Sequence, residues 1–174
     1  DLIIEGFKRS NSCKKLVIVG PLNMNTGREY RYVNRLLRYK DERVLFIGGV
    51  YEPRLQRALR HNCFAYIHGL EAGGSSPSLI EALSCGNNVL ALDTPSNREV
   101  AEQSAIYFEK DVDDLRKIID SLEEGRVAKL RNDAHAVYEK KYTVDNMVNT
   151  FATFVVNLAK ERGLSLCERK NKND

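Results

Sequence analysis

The residues whose types and spacing carry the most chemistry run from His68 to Gly86, HGLEAGGSSPSLIEALSCG. A glycine-serine loop comes first, then Pro77, then an amphipathic turn carrying Glu81. CFAYI (63–67) precedes this stretch and NNVLAL (87–92) follows it, both short apolar runs of strand type. A strand, a glycine-rich loop, a helix N-terminus and a second strand have an intrinsic charge preference. The unpaired N–H groups of the first helical turn and the positive end of the helix dipole favour an anion above the sheet. Pro77 suits the first helical position, with Ser76 as its N-cap. Glu81 then lies one turn further, on the side of Pro77 and Ser78. A carboxylate there can accept two hydroxyl hydrogen bonds from a ribose, as acidic residues do in nucleotide-binding α/β folds. Ser78-x-x-Glu81 is also a capping box, in which Glu81 satisfies the Ser78 backbone N–H. Spacing alone leaves both readings open.

The flanking elements must place this stretch. Leu2, Ile3 and Phe7 recur at helical spacing and read as a helix entered partway along. KKLVIVG (15–20) reads as a buried strand ending in a glycine-proline turn. An amphipathic helix follows from Thr26 to Tyr39, begun by Thr26 or Asn25. RVLFIGG (43–49) is a second strand, and Glu52 to Arg60 a short helix with Pro53 in its first turn. The third and fourth strands, 63–67 and 87–92, bracket the central loop and helix. DTPSN then reads as a turn, NREVA as one helical turn, and AIYF (105–108) as a fifth strand. After Phe108 come three helical segments, 112–123, 127–141 and 144–162, with no strand between them. The last carries Met147, Val148, Phe151, Phe154, Val155 and Leu158 on one side and is expected to pack along the body. Residues 164–174 read as a polar tail.

Alternation of strands and helices with short connections predicts an α/β fold, a Rossmann-like, doubly wound parallel sheet with right-handed crossovers and a C-terminal helical extension. The 174 residues read as a single domain, with 1–109 the sheet core and 110–163 the helices. Ligands of such sheets sit beyond the carboxyl ends of the strands. Three glycine-bearing loops leave those ends: 20–25, 48–51 and 68–77. Together they predict a nucleotide-sized crevice approached closely by backbone.

Bulk chemistry narrows the class. A net charge of +3 from mixed charges argues against nucleic acid as a partner. Cys13, Cys63, Cys85 and Cys167 are far apart, without CxxC or a histidine pair at metal spacing. No metal site follows from them. Cys63 and Cys85 are expected as buried free thiols, which fits a reducing, cytoplasmic compartment. The 174 residues contain no signal-peptide pattern and no apolar run of about 18 residues.

PSLIEALSCG followed by NNVLALDTPSNREV resembles the signature of retaining glycosyltransferases of family 4, whose GT-B fold has two Rossmann-type domains. That signature has two glutamates separated by seven residues, then an alanine-rich turn, a glycine and a hydrophobic strand. Here the second glutamate is Glu81, followed by Ala82, Leu83 and Gly86. KLVIVGP, RVLFIGGV, AIYFEKDVDDLRKII and YEKKYTVDNMVNTFATFV resemble further strands and helices of the family's donor-binding domain, so nearly the whole chain is covered. The HG-x4-GG-S-x-PSL-x-E form resembles bacterial rhamnosyltransferase-like members. Two departures stand out. The position of the first glutamate is Gly73, with Glu71 close by but out of register. The family's first strand, with basic residues for the donor diphosphate, would precede Asp1, as would the acceptor-binding domain, so the chain reads as a fragment.

The resemblance implies transfer of a sugar from a nucleoside-diphosphate sugar to a saccharide or lipid-linked acceptor, with retention and with no cofactor or metal. It implies that Gly49 and Val50 flank the base and Glu81 binds the ribose hydroxyls. Backbone N–H groups of Gly73, Gly74, Ser75, Ser76, Ser78 and Leu79, around Pro77, would hold sugar and diphosphate. Gly20 and Glu99 are further donor-site candidates. Glu99 reads equally as a first-turn residue of a helix capped by Ser96 or Asn97. His68 is the candidate for a catalytic contact, or for capping the strand end. Arg98, His61 and His135 read as surface. Lys8, Arg9, Lys14 and Lys15 read as a solvated run, unless the parent enzyme rests that face on the inner face of a membrane. A catalytically inactive nucleotide-sugar-binding or regulatory module is the alternative. A dehydrogenase is disfavoured, because Gly20-Pro21-Leu22 is not GxGxxG.

Overall fold

Apolar triplets and quartets become strands, and the amphipathic stretches between them become helices. The computed structural model describes residues 1–22, 27–39, 41–74, 76–122 and 124–163. Ser75, Cys167, the 164–174 tail and the proposed caps Asn25 and Thr26 lie outside the described residues. The order is α1 (Leu2–Arg9), β1 (Leu16–Ile18), α2 (Gly27–Leu36), β2 (Val44–Phe46), α3 (Pro53–Asn62), β3 (Tyr66–His68), α4 (Pro77–Ser84), β4 (Val89–Leu92), α5 (Pro95–Ala101) and β5 (Ala105–Phe108). Three helices close the chain: α6 (Val112–Asp120), α7 (Glu124–Lys141) and α8 (Val144–Glu161).

Every strand pairing is parallel: β1 with β2, and β3 with β4 with β5. The chain is therefore α/β and doubly wound in connectivity, as the alternation predicts. The strands form two sheets, β1-β2 and β3-β4-β5. A groove of about 1290 Å³ is lined by β1, by residues 63–67 leading into and along β3, and by Leu2, Ile4 and Phe7 of α1. Lys14 reaches the Phe64 ring, 3.9 Å from its centroid. α1 joins the two sheets. Leu2 and Ile3 pack with Leu90, Leu92, Phe108 and Leu115, while Ile4 and Phe7 pack with Val44, Leu16 and Ile18. Gly6 allows close approach to α6, since a Cβ there would stand 3.0 Å from Leu115.

β4 is central to its sheet and buried on both faces, which is why VLAL is apolar at every position. α4 inserts Leu79, Ala82 and Leu83 against it. Two differences from the sequence reading at element ends have a direct physical cause. β3 starts at Tyr66 rather than Cys63, because Asn88 spends its side chain on the Phe64 carbonyl (2.6 Å) and its own carbonyl takes the Tyr66 N–H (2.8 Å). DTPSN is not a free turn: Thr94 caps α5, its hydroxyl accepting the Asn97 N–H at 3.2 Å. Neither Ser96 nor Asn97 is the cap, and Glu99 stands beyond the first turn. α8 forms where periodicity places it, capped by Thr143. Its apolar stripe is not packed along the body, however: Met147, Phe151 and Phe154 are 60%, 70% and 61% exposed. Helical periodicity selects a face but does not say what covers it. Among the described residues, no helix is long and apolar enough to cross a membrane.

Candidate functional site

The site candidates gather beyond the carboxyl ends of β1, β2 and β3. Gly20 and Gly48 are hydrogen-bonded to each other, N–H to carbonyl at 3.0 Å, so the loops after β1 and β2 run side by side. Gly48 has φ +79°, which an L side chain rarely tolerates, and so the chain turns sharply into Gly49 and Val50. Gln56 of α3 holds this loop by donating to the Val50 carbonyl at 2.5 Å.

After β3 the loop crosses to α5. Asn97 is 2% exposed and donates to the carbonyls of Leu70 (3.1 Å) and Leu92 (2.9 Å), tying the loop to the end of β4. By spacing alone Asn97 reads only as a cap candidate. The Thr94-Pro95 helix start just before it is the local signal that places Asn97 in the first turn of α5. At the loop's tip Gly73 has φ +154°, and a Cβ there would stand 3.3 Å from Leu70. Any side chain at this position meets strained backbone. Glu71 is exposed and ion-paired with Lys110 at 2.7 Å.

Ser76 is the N-cap of α4 and Pro77 lies in its first turn, as their order predicts. Ser76 makes no side-chain cap; its hydroxyl lies 3.0 Å from that of Ser78. The Leu79 N–H is taken by the Ser76 carbonyl at 3.1 Å, and Pro77 has no N–H. Of the α4 first-turn donors, this leaves the Ser78 amide without a backbone acceptor among the described residues. Glu81 does not close a capping box. Its carboxylate points to α3, where Arg60 Nη2 lies 2.6 Å from Oε2. The Arg60 side chain is 20% exposed and that of Glu81 is 53% exposed.

Tyr66 and His68 line the floor beside them. Their rings stack at 6.0 Å, and the Tyr66 hydroxyl lies 3.3 Å from His68 Nδ1. Burial raises the Tyr66 phenol, opposed by the Ser78 hydroxyl and the Arg60 charge. His68 is buried, and burial lowers its pKa from 6.5, so the ring is held neutral. Its Nδ1 partner is a phenol rather than a backbone group. The sign of the pH effect follows. A folded pKa below the unfolded one makes the unfolded chain bind more protons, so stability is full above pH 6.5 and falls as pH drops below it. Chemical denaturation between pH 5 and pH 8 should show this loss, flattened in His68→Gln relative to wild type.

The remaining candidates lie apart from this cluster. Glu99 is exposed on α5, where its carbonyl accepts from Lys141 Nζ at 3.0 Å. Arg98 is ion-paired with Asp93 at 2.5 Å and covers the Tyr107 ring, so it is a surface residue with a partner. His61 and His135 are exposed. Cys63 and Cys85 are free and only partly buried, and Cys13 is exposed. Burial raises the Cys63 thiol. Among the described residues no three His, Cys, Asp or Glu side chains group as a metal site.

Parallel strands, glycine loops at their carboxyl ends and a carboxylate one turn into α4 define an α/β half-domain of the kind that takes ligands beyond its strand ends. The family described as Glycosyl transferases group 1 matches residues 1–141, and the chain belongs to that family. Among solved structures it is similar to Anabaena Alr3699/HepE in complex with UDP, with TM-score 0.75 and 20% identity over 90% of this chain and 44% of that one. The same protein in complex with UDP and glucose gives TM-score 0.72 and 18% identity at the same coverage. The chain thus spans less than half the length of that protein, and the fold is one Rossmann-like half of a GT-B glycosyltransferase. No curated protein sequence matches it.

Proposed function

We propose that this chain is the donor-binding half of a retaining glycosyltransferase of family 4, similar to rhamnosyltransferase-like enzymes of bacterial polysaccharide synthesis. It takes a nucleoside-diphosphate sugar, and the full-length protein transfers the sugar to a saccharide or lipid-linked acceptor at the cytoplasmic face of a membrane. The observation that carries this reading is the placement of Glu81 one turn into α4, beside three glycine loops at the carboxyl ends of parallel strands. In the bound state its carboxylate accepts the ribose hydroxyls. Gly49 and Val50 flank the base, and the Ser78 amide with the Gly73–Ser76 backbone faces sugar and diphosphate. Basic residues rather than a metal neutralise the leaving diphosphate, and positioning with electrostatics supplies the rate.

The strand order of a doubly wound nucleotide fold, 3-2-1-4-5-6, fits the observed order β2-β1 and β3-β4-β5 if one strand lies between β1 and β3. The groove between those strands supports placing there a strand from a segment ahead of α1. Without that strand and an acceptor domain, the 174 residues alone do not turn over substrate.

Titration with nucleoside diphosphates of uridine, guanosine and adenosine tests the assignment. Glu81→Ala should weaken the best of these by roughly tenfold, the value of one to two charge-assisted hydrogen bonds. Equal affinities would remove Glu81 from the ribose. Gly73 favours a second reading, a nucleotide-sugar-binding module without catalysis, because its backbone disfavours the side chain that the family signature carries there. Turnover by the full-length protein with a panel of nucleotide sugars separates the two: measurable transfer excludes the inactive module.

A further inference from the structure

We infer that Gln56 and Arg60 of α3 are positioning residues that set the distance between the base loop and the ribose carboxylate. Four residues apart, they lie on one face of the helix, and both line the groove. Gln56 donates to the Val50 carbonyl at 2.5 Å, and Arg60 grips Glu81 Oε2 at 2.6 Å. One face of one helix therefore holds two points, Val50 and Glu81, that lie thirty-one positions apart in the sequence. A nucleoside bridging Val50 and Glu81 meets a spacing fixed by α3. The inference rests on the donor-site reading above and adds the device that makes the site rigid.

Arg60 is itself anchored. Its carbonyl accepts from Asn87 Nδ2 at 2.6 Å and from the Cys63 N–H at 3.3 Å, and Asn87 is 1% exposed at the foot of β4. The helix end is thus fixed to the sheet while the guanidinium reaches across to α4. Arg60 engages one carboxylate oxygen of Glu81, and Glu81 remains half exposed. The second oxygen is left for a hydroxyl donor, and the ion pair biases the carboxylate toward α3 before ligand arrives. Preorganisation of this kind raises affinity by removing rotamer entropy from the binding step.

The test is a mutant cycle in the full-length chain. It uses the tightest-binding nucleoside diphosphate of uridine, guanosine or adenosine, and the matching 2′,3′-dideoxy nucleotide. Arg60→Ala should weaken the ribonucleotide by roughly tenfold and abolish its preference over the dideoxy form, with Arg60→Lys restoring part of both. Arg60→Ala combined with Glu81→Ala should bind no worse than Glu81→Ala alone, because Arg60 acts through Glu81. A purely structural Arg60 would give additive losses and keep the ribose preference. If Glu81→Ala weakens binding while Arg60→Ala leaves or improves it, this inference falls and the donor-site reading stands. If Glu81→Ala binds like wild type, the donor-site reading falls and this one with it. Gln56→Ala, which leaves the ion pair intact, should weaken ribo and dideoxy forms equally; no effect would remove Gln56 from the device.

Discussion

Leu79→Ala should destabilise the chain by about 2–5 kcal/mol, the range for removing a buried leucine side chain and leaving a cavity. Leu79 is fully buried in the first turn of α4, packed in one cluster with Ala82, Leu83, Val89, Ala91 and Val100. The position within the range depends on how far those neighbours relax into the space. The loss also reaches the site. Leu79 is the anchor of the turn that presents Ser76, Ser78 and Glu81, and a loosened turn widens the distribution of carboxylate positions. Nucleoside-diphosphate affinity should therefore fall along with stability. Glu81→Ala separates the two effects. Its ion pair is partly exposed, and partly exposed pairs contribute about 0–1 kcal/mol. Glu81→Ala should thus lose binding at nearly full stability, while Leu79→Ala loses both and Leu79→Met, close in volume, loses little of either. Urea denaturation together with titration calorimetry on the three variants gives the answer. Full stability of Leu79→Ala would show that the β4 face packs some other way.

That contrast shows what a sequence carries. β4 and β5 are legible because VLAL and AIYF are apolar without alternation, the pattern of strands covered on both faces. α4 is legible because Ser76 and Pro77 mark its start with local chemistry. The partner of Glu81 is not legible. Arg60 stands twenty-one residues earlier on another helix, and the capping-box spacing offered a local partner instead. Local patterns predict local bonds, and an ion pair between helices depends on how they dock. The same limit explains Asn87, Asn88 and Asn97. Each reads as a turn or strand-end polar residue, yet each is at most 2% exposed and bonded to main-chain carbonyls distant in sequence. α8 marks the limit from the other side. Its stripe is evident in the sequence, yet Met147, Phe151 and Phe154 stand exposed, because periodicity selects a face without naming what covers it. Gly73 lies between these cases. The register against the family signature identifies the missing carboxylate, and the φ of +154° adds a physical reason that no sequence pattern contains.

Phe108→Ala should cost about 3–5 kcal/mol, the range for emptying a fully buried aromatic site. Phe108 ends β5 at 0% exposure and packs with Leu90, Leu92 and Leu115 and with Leu2 and Ile3 of α1. The consequence goes beyond one cavity, because α1 joins the two sheets. Its first turn packs on the β3-β4-β5 side, and Ile4 and Phe7 pack on the β1-β2 side. Loosening α1 from Phe108 therefore weakens the hold of one sheet on the other. The loops after β1 and β2 belong to the first sheet and α4 to the second, so the proposed donor site spans that joint. Phe108→Ala and Ile3→Ala should then be non-additive by about 0.5–3 kcal/mol, as expected for residues sharing one contact surface. Phe108→Ala and Leu36→Ala, in separate clusters, should be additive within about 0.5 kcal/mol. Hydrogen exchange supplies the local readout: Phe108→Ala should speed exchange at Leu16 and Ile47, whose amides bond across β1 and β2, as well as in β5. Faster exchange confined to β5 would mean that the two sheets hold together without α1, and that the joint lies elsewhere in the core.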